Sequence, residues 1–243
     1  MSDYRKLIYD KYVHARHDAL VPESIGGLKP RSYALNKIIN DHFPLDRDSS
    51  VLDLGCGHGA LVYFARMAGC RNILGVDCSP QQVAEAKRLG IEGVHLGDLF
   101  ETLKASPHNS QDVVITYDVI EHFAKDELLP FVGEVHRVLK SGGKWIIHAP
   151  NGESPFGGRT RYGDFTHEMA FTRGSITQLL KSSGFSNISC FEDTPIPHGV
   201  KSTCRWLIWK IIRGILRVYL AAETGRGERD CLFTQCFLTV AIK

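Results

Sequence analysis

The residues best suited to chemistry stand between positions 50 and 170. Val51-Leu52-Asp53-Leu54-Gly55-Cys56-Gly57-His58-Gly59-Ala60 joins a short apolar run to a helical pattern. It satisfies G-x-G-x-x-G/A at Gly55, Gly57 and Ala60. Glycines in such a loop let the backbone turn sharply and let a ligand approach closely. Asp77 follows 22 positions after Gly55, at the end of the next apolar run. A carboxylate there accepts hydrogen bonds from two ribose hydroxyls. Loop and acid together suit a nicotinamide cofactor or S-adenosylmethionine.

Three details favour S-adenosylmethionine. Asp53 lies two residues before Gly55, and its carboxylate suits a cationic amino-acid end better than a pyrophosphate. Asp98, in Gly97-Asp98-Leu99, fits an exocyclic amine of adenine, with Leu99 in apolar contact. The chain also closes on two strand-like segments rather than a second nucleotide-binding half. Together these residues resemble the class I S-adenosylmethionine-dependent methyltransferases, over about 49–184. Tyr117-Asp118-Val119-Ile120-Glu121-His122-Phe123 is similar to the stretch after strand four in small-molecule O-methyltransferases of the ubiquinone-biosynthesis type. Leu139-Lys140-Ser141-Gly142-Gly143 is similar to the turn before their fifth strand. Gly163–Phe171 resembles a pattern in methyltransferases of surface-glycan assembly. The resemblance adds Cys56, Cys78, Tyr117 and Asp118 to the expected cofactor contacts. It implies O-methylation of a sugar or glycan hydroxyl, or of a quinone or phenol. A nicotinamide oxidoreductase and a non-catalytic cofactor-binding protein are the readings from other classes.

A hydroxyl acceptor needs a base within hydrogen-bond reach, most often histidine. In an open α/β sheet the acceptor lies beyond the carboxyl ends of the strands, which restricts the eleven histidines to His58, His122, His148 and His167. His167, in Asp164-Phe165-Thr166-His167-Glu168, is the expected base, with Asp164 or Glu168 orienting its ring. His122 is the second choice. His148 suits a satisfied core position and His58 a cofactor neighbour. Asp118, Asn151, Asp164 and Glu168 carry oxygens that could ligate Mg²⁺, but a metal-independent reaction is expected. The Asn/Asp-Pro-Pro-aromatic tetrad of related nucleobase N-methyltransferases is absent, since Tyr117-Asp118-Val119-Ile120 stands there. No interleaved basic and aromatic surface argues for a nucleic-acid partner.

The elements that must position these groups follow from periodicity. Strands are predicted at 50–54, 72–77, 93–96, 112–117 and 144–149, with helices at 59–68, 80–89 and 125–139 between them. Such alternation specifies a Rossmann-like, doubly wound, mostly parallel sheet. Helices at 3–20 and 31–43 form an N-terminal cap, 1–48, before a cofactor-binding core, 49–150. An acceptor-loop insertion, 151–171, reads as loop and precedes a helix at 172–183. Strand-like runs 186–191 and 232–242 enclose a basic helical insertion, 195–228, and are expected to pair antiparallel. All of this is read as one domain, 1–243.

With 29 basic and 27 acidic residues the net charge is +2, and 43% of residues are hydrophobic, which excludes a disordered polyelectrolyte. Lys201, Arg205, Lys210, Arg213 and Arg217, however, share a stretch without one acid. On a helical wheel Leu207, Ile208, Ile211, Ile212, Ile215, Val218 and Tyr219 fall on one face, opposite Lys210, Arg213 and Arg217 with Trp206. Such a helix either packs its apolar face on the domain or, through residues 201–222 with Trp206 and Trp209, meets an anionic membrane. The seven cysteines form no C-x-x-C pair and read as reduced thiols. Met1-Ser2-Asp3-Tyr4-Arg5-Lys6 begins no apolar leader. A cytoplasmic location, peripheral at the inner face of the membrane, is therefore expected, with the oligomeric state open.

Overall fold

The computed structural model describes residues 3–9, 21–225 and 230–243. Positions 10–20 of the first expected helix, and 226–229 of the basic insertion, lie outside them. Seven strands form a single sheet: β1 Ser50–Leu54, β2 Asn72–Asp77, β3 Val94–Leu96, β4 Gln111–Tyr117, β5 Leu139–Pro150, β6 Ser186–Glu192 and β7 Cys236–Ile242. Their order is β3-β2-β1-β4-β5-β7-β6. β1 to β5 pair in parallel, and β7 runs antiparallel to both β5 and β6. The strand order reverses between β1 and β4, where open α/β sheets leave a crevice for ligands.

Two apolar layers sandwich the sheet. On one side Val51, Val113, Ile115 and Ile146 pack under α2 (Lys29–His42), α3 (Ala60–Met67) and α4 (Pro80–Arg88). On the other, Leu52, Val114, Trp145 and Ile147 pack under α5 (Leu99–Ala105), α6 (Lys125–Val138) and α8 (Arg173–Ser182). Successive strand residues thus alternate between the two cores, as the pleat demands. Trp145 is fully buried and donates its indole N–H to Thr116 Oγ1 at 3.0 Å, so the polar handle is satisfied. α1 (Asp3–Tyr9) precedes this frame, and α9 (Val200–Thr224) stands between β6 and β7.

Several expectations change. The segment 151–166 contains a short helix, α7 (Gly157–Arg161), rather than loop alone. α5 fills a stretch in which no helix was expected. Leu139–Gly143 enters β5 with a register shift opposite Gln111 and Val113 instead of ending in a turn. The last strand starts at Cys236, four residues later than the sequence pattern. The largest change concerns α9, whose apolar face is exposed: Ile211 is 65% and Val218 71% accessible. Its partly buried side carries Trp206, Trp209, Arg213 and Arg217. Arg213 faces inward because its guanidinium donates to Glu192 Oε2 at 2.6 Å and to the Cys231 carbonyl at 3.4 Å. Among the described residues no helix is long and apolar enough to cross a membrane.

Candidate active site

A cavity of about 890 Å³ opens at the carboxyl edge of the sheet, over the β1/β4 reversal. All thirteen expected site residues line it: Asp53, Gly55, Cys56, Gly57, Asp77, Cys78, Asp98, Leu99, Tyr117, Asp118, His122, Asp164 and His167. The glycine loop turns through positive φ at Gly55 (75°) and Gly57 (57°). At Gly55 a side chain would also stand 2.4 Å from Val119 Cγ2, so only glycine fits there.

Asp77 clamps this loop to β2. One oxygen accepts from the Gly57 N–H and the other from the Ser79 N–H, each at 2.8 Å. Burial raises its pKa, against the pull of those two bonds. Asp53 is 1% exposed, and neither carboxylate oxygen has a partner. Burial, with Asp77 nearby, pushes its pKa up to about 7. A buried unpaired carboxylate is costly unless a cation or donor meets it. The ammonium of an amino-acid moiety is such a group, so the donor set fits S-adenosylmethionine at this point. Asp98 caps α5, its Oδ1 accepting from Phe100 N–H at 2.8 Å and Glu101 N–H at 3.1 Å. Its second oxygen has no part in that cap.

Asp118, at φ 57°, accepts from His148 Nδ1 at 2.6 Å, and His148 Nε2 lies 3.5 Å from Asp193. Burial opposes the imidazolium, but Tyr117, stacked on the ring at 4.0 Å, together with Asp118 and Asp193 raises the His148 pKa well above its ordinary value. Burial likewise opposes the Asp118 charge, yet His148 holds its carboxyl below the ordinary value. His148 thus sits between two carboxylates, bonded to Asp118 and facing Asp193, rather than open to an acceptor. His58 is buried, and burial lowers its pKa to about 4.

The two remaining histidines meet in the cavity wall, their rings edge to face at 4.7 Å. His122 Nδ1 lies 2.8 Å from Thr166 Oγ1, and that hydroxyl donates to Asp164 Oδ1 at 2.6 Å. The hydroxyl proton is thus engaged, so His122 donates through Nδ1 and keeps the Nε2 lone pair. His167 Nδ1 lies 3.0 Å from the Thr160 carbonyl, which only accepts, so its Nε2 is also a free base. Burial lowers both pKa values, that of His122 to about 4. Asp164 therefore orients His122 through Thr166, and the Thr160 carbonyl orients His167; the expected carboxylate partner of His167 is corrected. Glu121 is 1% exposed with neither oxygen bonded, and its Oε1 lies 3.9 Å from His167 Nε2. Burial, then Asp118, raises its pKa well above the ordinary value.

Sequence reasoning missed Glu121, Thr166 and the cap residues Arg5, Tyr9 and Arg31, all but Thr166 lining the cavity. Arg5 donates to the His122 carbonyl at 2.8 Å and to Glu127 at 2.7 Å, which fastens α1 over the site. The one available signal was the neighbourhood of Glu121 and His122 in the stretch after β4.

Residues 52–147 match a family described as a methyltransferase domain. The chain is 32% identical, over 147 residues, to a protein of Mycolicibacterium smegmatis named as a probable S-adenosylmethionine-dependent methyltransferase; the match covers 59% of this chain and 53% of that one. It is 26% identical over 140 residues to protein arginine N-methyltransferase 1 of Chlamydomonas reinhardtii, covering 57% and 39% respectively. The chain thus spans about half or less of the length of these relatives. A crystal structure of an Archaeoglobus fulgidus S-adenosylmethionine-dependent methyltransferase superposes with a TM-score of 0.67 over the full length of both chains, at 18% identity. Phosphoethanolamine N-methyltransferase 2 of Haemonchus contortus, solved with S-adenosyl-L-methionine, gives 0.58 at 19% identity, covering all of this chain and 57% of that one. Sheet order, glycine loop and these matches converge: residues 52–147 are similar to a methyltransferase domain, and the chain has the Rossmann-like fold seen in S-adenosylmethionine-dependent methyltransferases.

Proposed function

We propose that the protein is an O-methyltransferase that methylates a hydroxyl of a sugar or glycan precursor, with His167 as the base. The observation carrying this reading is the pair of imidazoles, His122 and His167, set edge to face in one cavity wall, with their Nδ1 atoms against Thr166 Oγ1 and the Thr160 carbonyl. An amine acceptor that arrives unprotonated needs no such pair, whereas a hydroxyl does. The stretch Gly163–Phe171, which supplies Asp164 and His167, supports a hydroxylated acceptor through its resemblance to glycan-assembly enzymes.

S-adenosylmethionine, when bound, supplies a methyl group on a positively charged sulfur. Asp77 would accept from its ribose, Asp53 and the Gly55–Gly57 backbone would hold the amino-acid end, and Asp98 with Leu99 would meet the adenine. Cys56, Cys78, Tyr117 and Asp118 would line the same groove. His167 Nε2 takes the acceptor proton while its Nδ1–H stays on the Thr160 carbonyl. Glu121, 3.9 Å away, would gain charge more readily beside the new imidazolium, since an opposite charge nearby favours the carboxylate. No metal is needed in this scheme.

The test is formation of S-adenosylhomocysteine with a panel of sugar nucleotides and glycan precursors. His167→Ala should lower kcat by about 10²–10⁴ with cofactor affinity unchanged. His122→Ala should cost less. The reverse ranking moves the base to His122, and turnover unaffected by either change removes the base-assisted reading. Activity on phenols or quinones alone would overturn the sugar assignment.

A further inference from the structure

We propose that the exposed face of α9 is a docking surface for an anionic lipid bilayer. Leu207, Ile208, Ile211, Ile215, Val218 and Tyr219 are between 51% and 71% accessible. At 100° per residue this row covers an arc of about 120°. Large side chains in so continuous a row are rarely left to water. Lys201 and Arg205 border the row on one side and Lys210 on the other, near the start of the helix. No acidic residue occurs from Gly199 to Ala222. Among the described residues, Arg213 is the only cation of α9 in a salt bridge, so the bordering three are not matched by the domain's own carboxylates.

That charge pattern decides the occupant. Two copies meeting antiparallel through this row would set Lys201, Arg205 and Lys210 against the other copy's second half. The residues there are apolar or basic up to Glu223. An anionic headgroup layer supplies the missing negative charge along the whole row, while the aliphatic side chains enter the acyl boundary. The tryptophans play no part in this face, because Trp206 and Trp209 are turned toward the domain and partly buried.

The helix is also fixed in a useful orientation. Arg213 holds Glu192, the last residue of β6, and the adjoining Asp193 reaches His148, which bonds Asp118 of the cavity wall. β6 runs in the same direction as β5, so this anchor lies on the carboxyl edge where the cavity opens. α9 is therefore anchored at the same edge of the sheet as the cavity. The surface does not depend on which acceptor is methylated.

The experiment is sedimentation of the full chain with vesicles of phosphatidylcholine alone or with one third phosphatidylglycerol. The protein should sediment only with the anionic vesicles and release as salt shortens the reach of its charges. Replacing Lys201, Arg205 and Lys210 by Gln should weaken partitioning about a hundredfold, roughly fivefold per cation. Ile211→Glu with Ile215→Glu and Val218→Glu, at positions already in water, should abolish it while calorimetric cofactor binding stays intact. Equal binding to neutral vesicles, no binding, or binding untouched by the triple Glu change would overturn the proposal. A dimer that the Glu variant splits, without vesicle binding, would assign the face to a second copy instead.

Discussion

Asp53 is the residue whose environment is least comfortable without a ligand. It is buried with both oxygens unbonded, and its pKa is pushed up from 3.8 to about 7. The fold therefore retains a proton that the unfolded chain sheds, so this group favours folding below about pH 4. That contribution is lost as the pH rises through about 7. At ~1.4 kcal/mol per pKa unit the loss is on the order of 4 kcal/mol. Asp53→Asn has no proton to lose. The stability of wild type minus that of Asp53→Asn, from urea melts at pH 4 to 8, should fall by about this amount without cofactor. Saturating S-adenosylmethionine should flatten the fall, because its ammonium favours the carboxylate. A difference that does not change with pH would remove Asp53 from the cationic end of the site. The sequence made Asp53 legible by its distance from Gly55, and it pointed, by their place after strands, to His122 and His167, which both line the cavity. It did not reveal that Asp164 acts on His122 through Thr166, since that chain of bonds spans residues 122 to 166 and depends on how the insertion folds back.

Elements were legible where their period was long and their ends marked. α5 escaped because seven residues carry too little periodicity, although Asp98 followed by Glu101 was a helix-start signal. The glycines at 142 and 143 read as a turn, yet a side chain at Gly143 would stand 2.8 Å from the Lys140 carbonyl oxygen, so they accommodate an irregularity inside β5. For α9, periodicity identified two faces but not which one is buried. That choice is made by Glu192, which lies outside the helix and draws Arg213 inward. Glu192 also accepts from the Phe233 N–H at 2.8 Å, tying α9, β6 and the approach to β7 together. Arg213→Ala should therefore destabilise the protein by about 1.5–3 kcal/mol, the range for hydrogen bonds to charged groups. Amide exchange over 200–224 should speed up while the centre of the sheet stays protected. Arg217→Ala, whose side chain makes no ion pair among the described residues, should do neither. Equal effects from the two changes would mean that the anchor is not Arg213.

At the scale of the molecule, alternating strands and helices were enough to specify the parallel sheet, and the closing antiparallel strand followed from two adjacent strand runs. The closure of the cavity by α1 was not legible, because the contacts span 70 to 122 residues. Arg5 of α1 bonds the His122 carbonyl and Glu127, and the Tyr9 carbonyl accepts from Ser79 Oγ at 3.1 Å, beside Asp77. α1 thus bridges the β2 and β4 ends, the two sides of the groove that would hold the cofactor. Arg5 is 6% exposed, so its bonds are sheltered from water and worth more than a surface pair. Arg5→Ala should remove that bridge and speed cofactor release by about 10–100-fold, the kinetic equivalent of ~1.5–3 kcal/mol. Arg5→Lys, which keeps the charge but not the forked geometry, should fall between. Stopped-flow release of S-adenosylhomocysteine measures the rate, and the urea midpoint reports the rest of the fold. Release as fast from wild type as from Arg5→Ala would mean that α1 rests on the site without holding it closed. A matching drop in global stability would instead make Arg5 a part of the general scaffold.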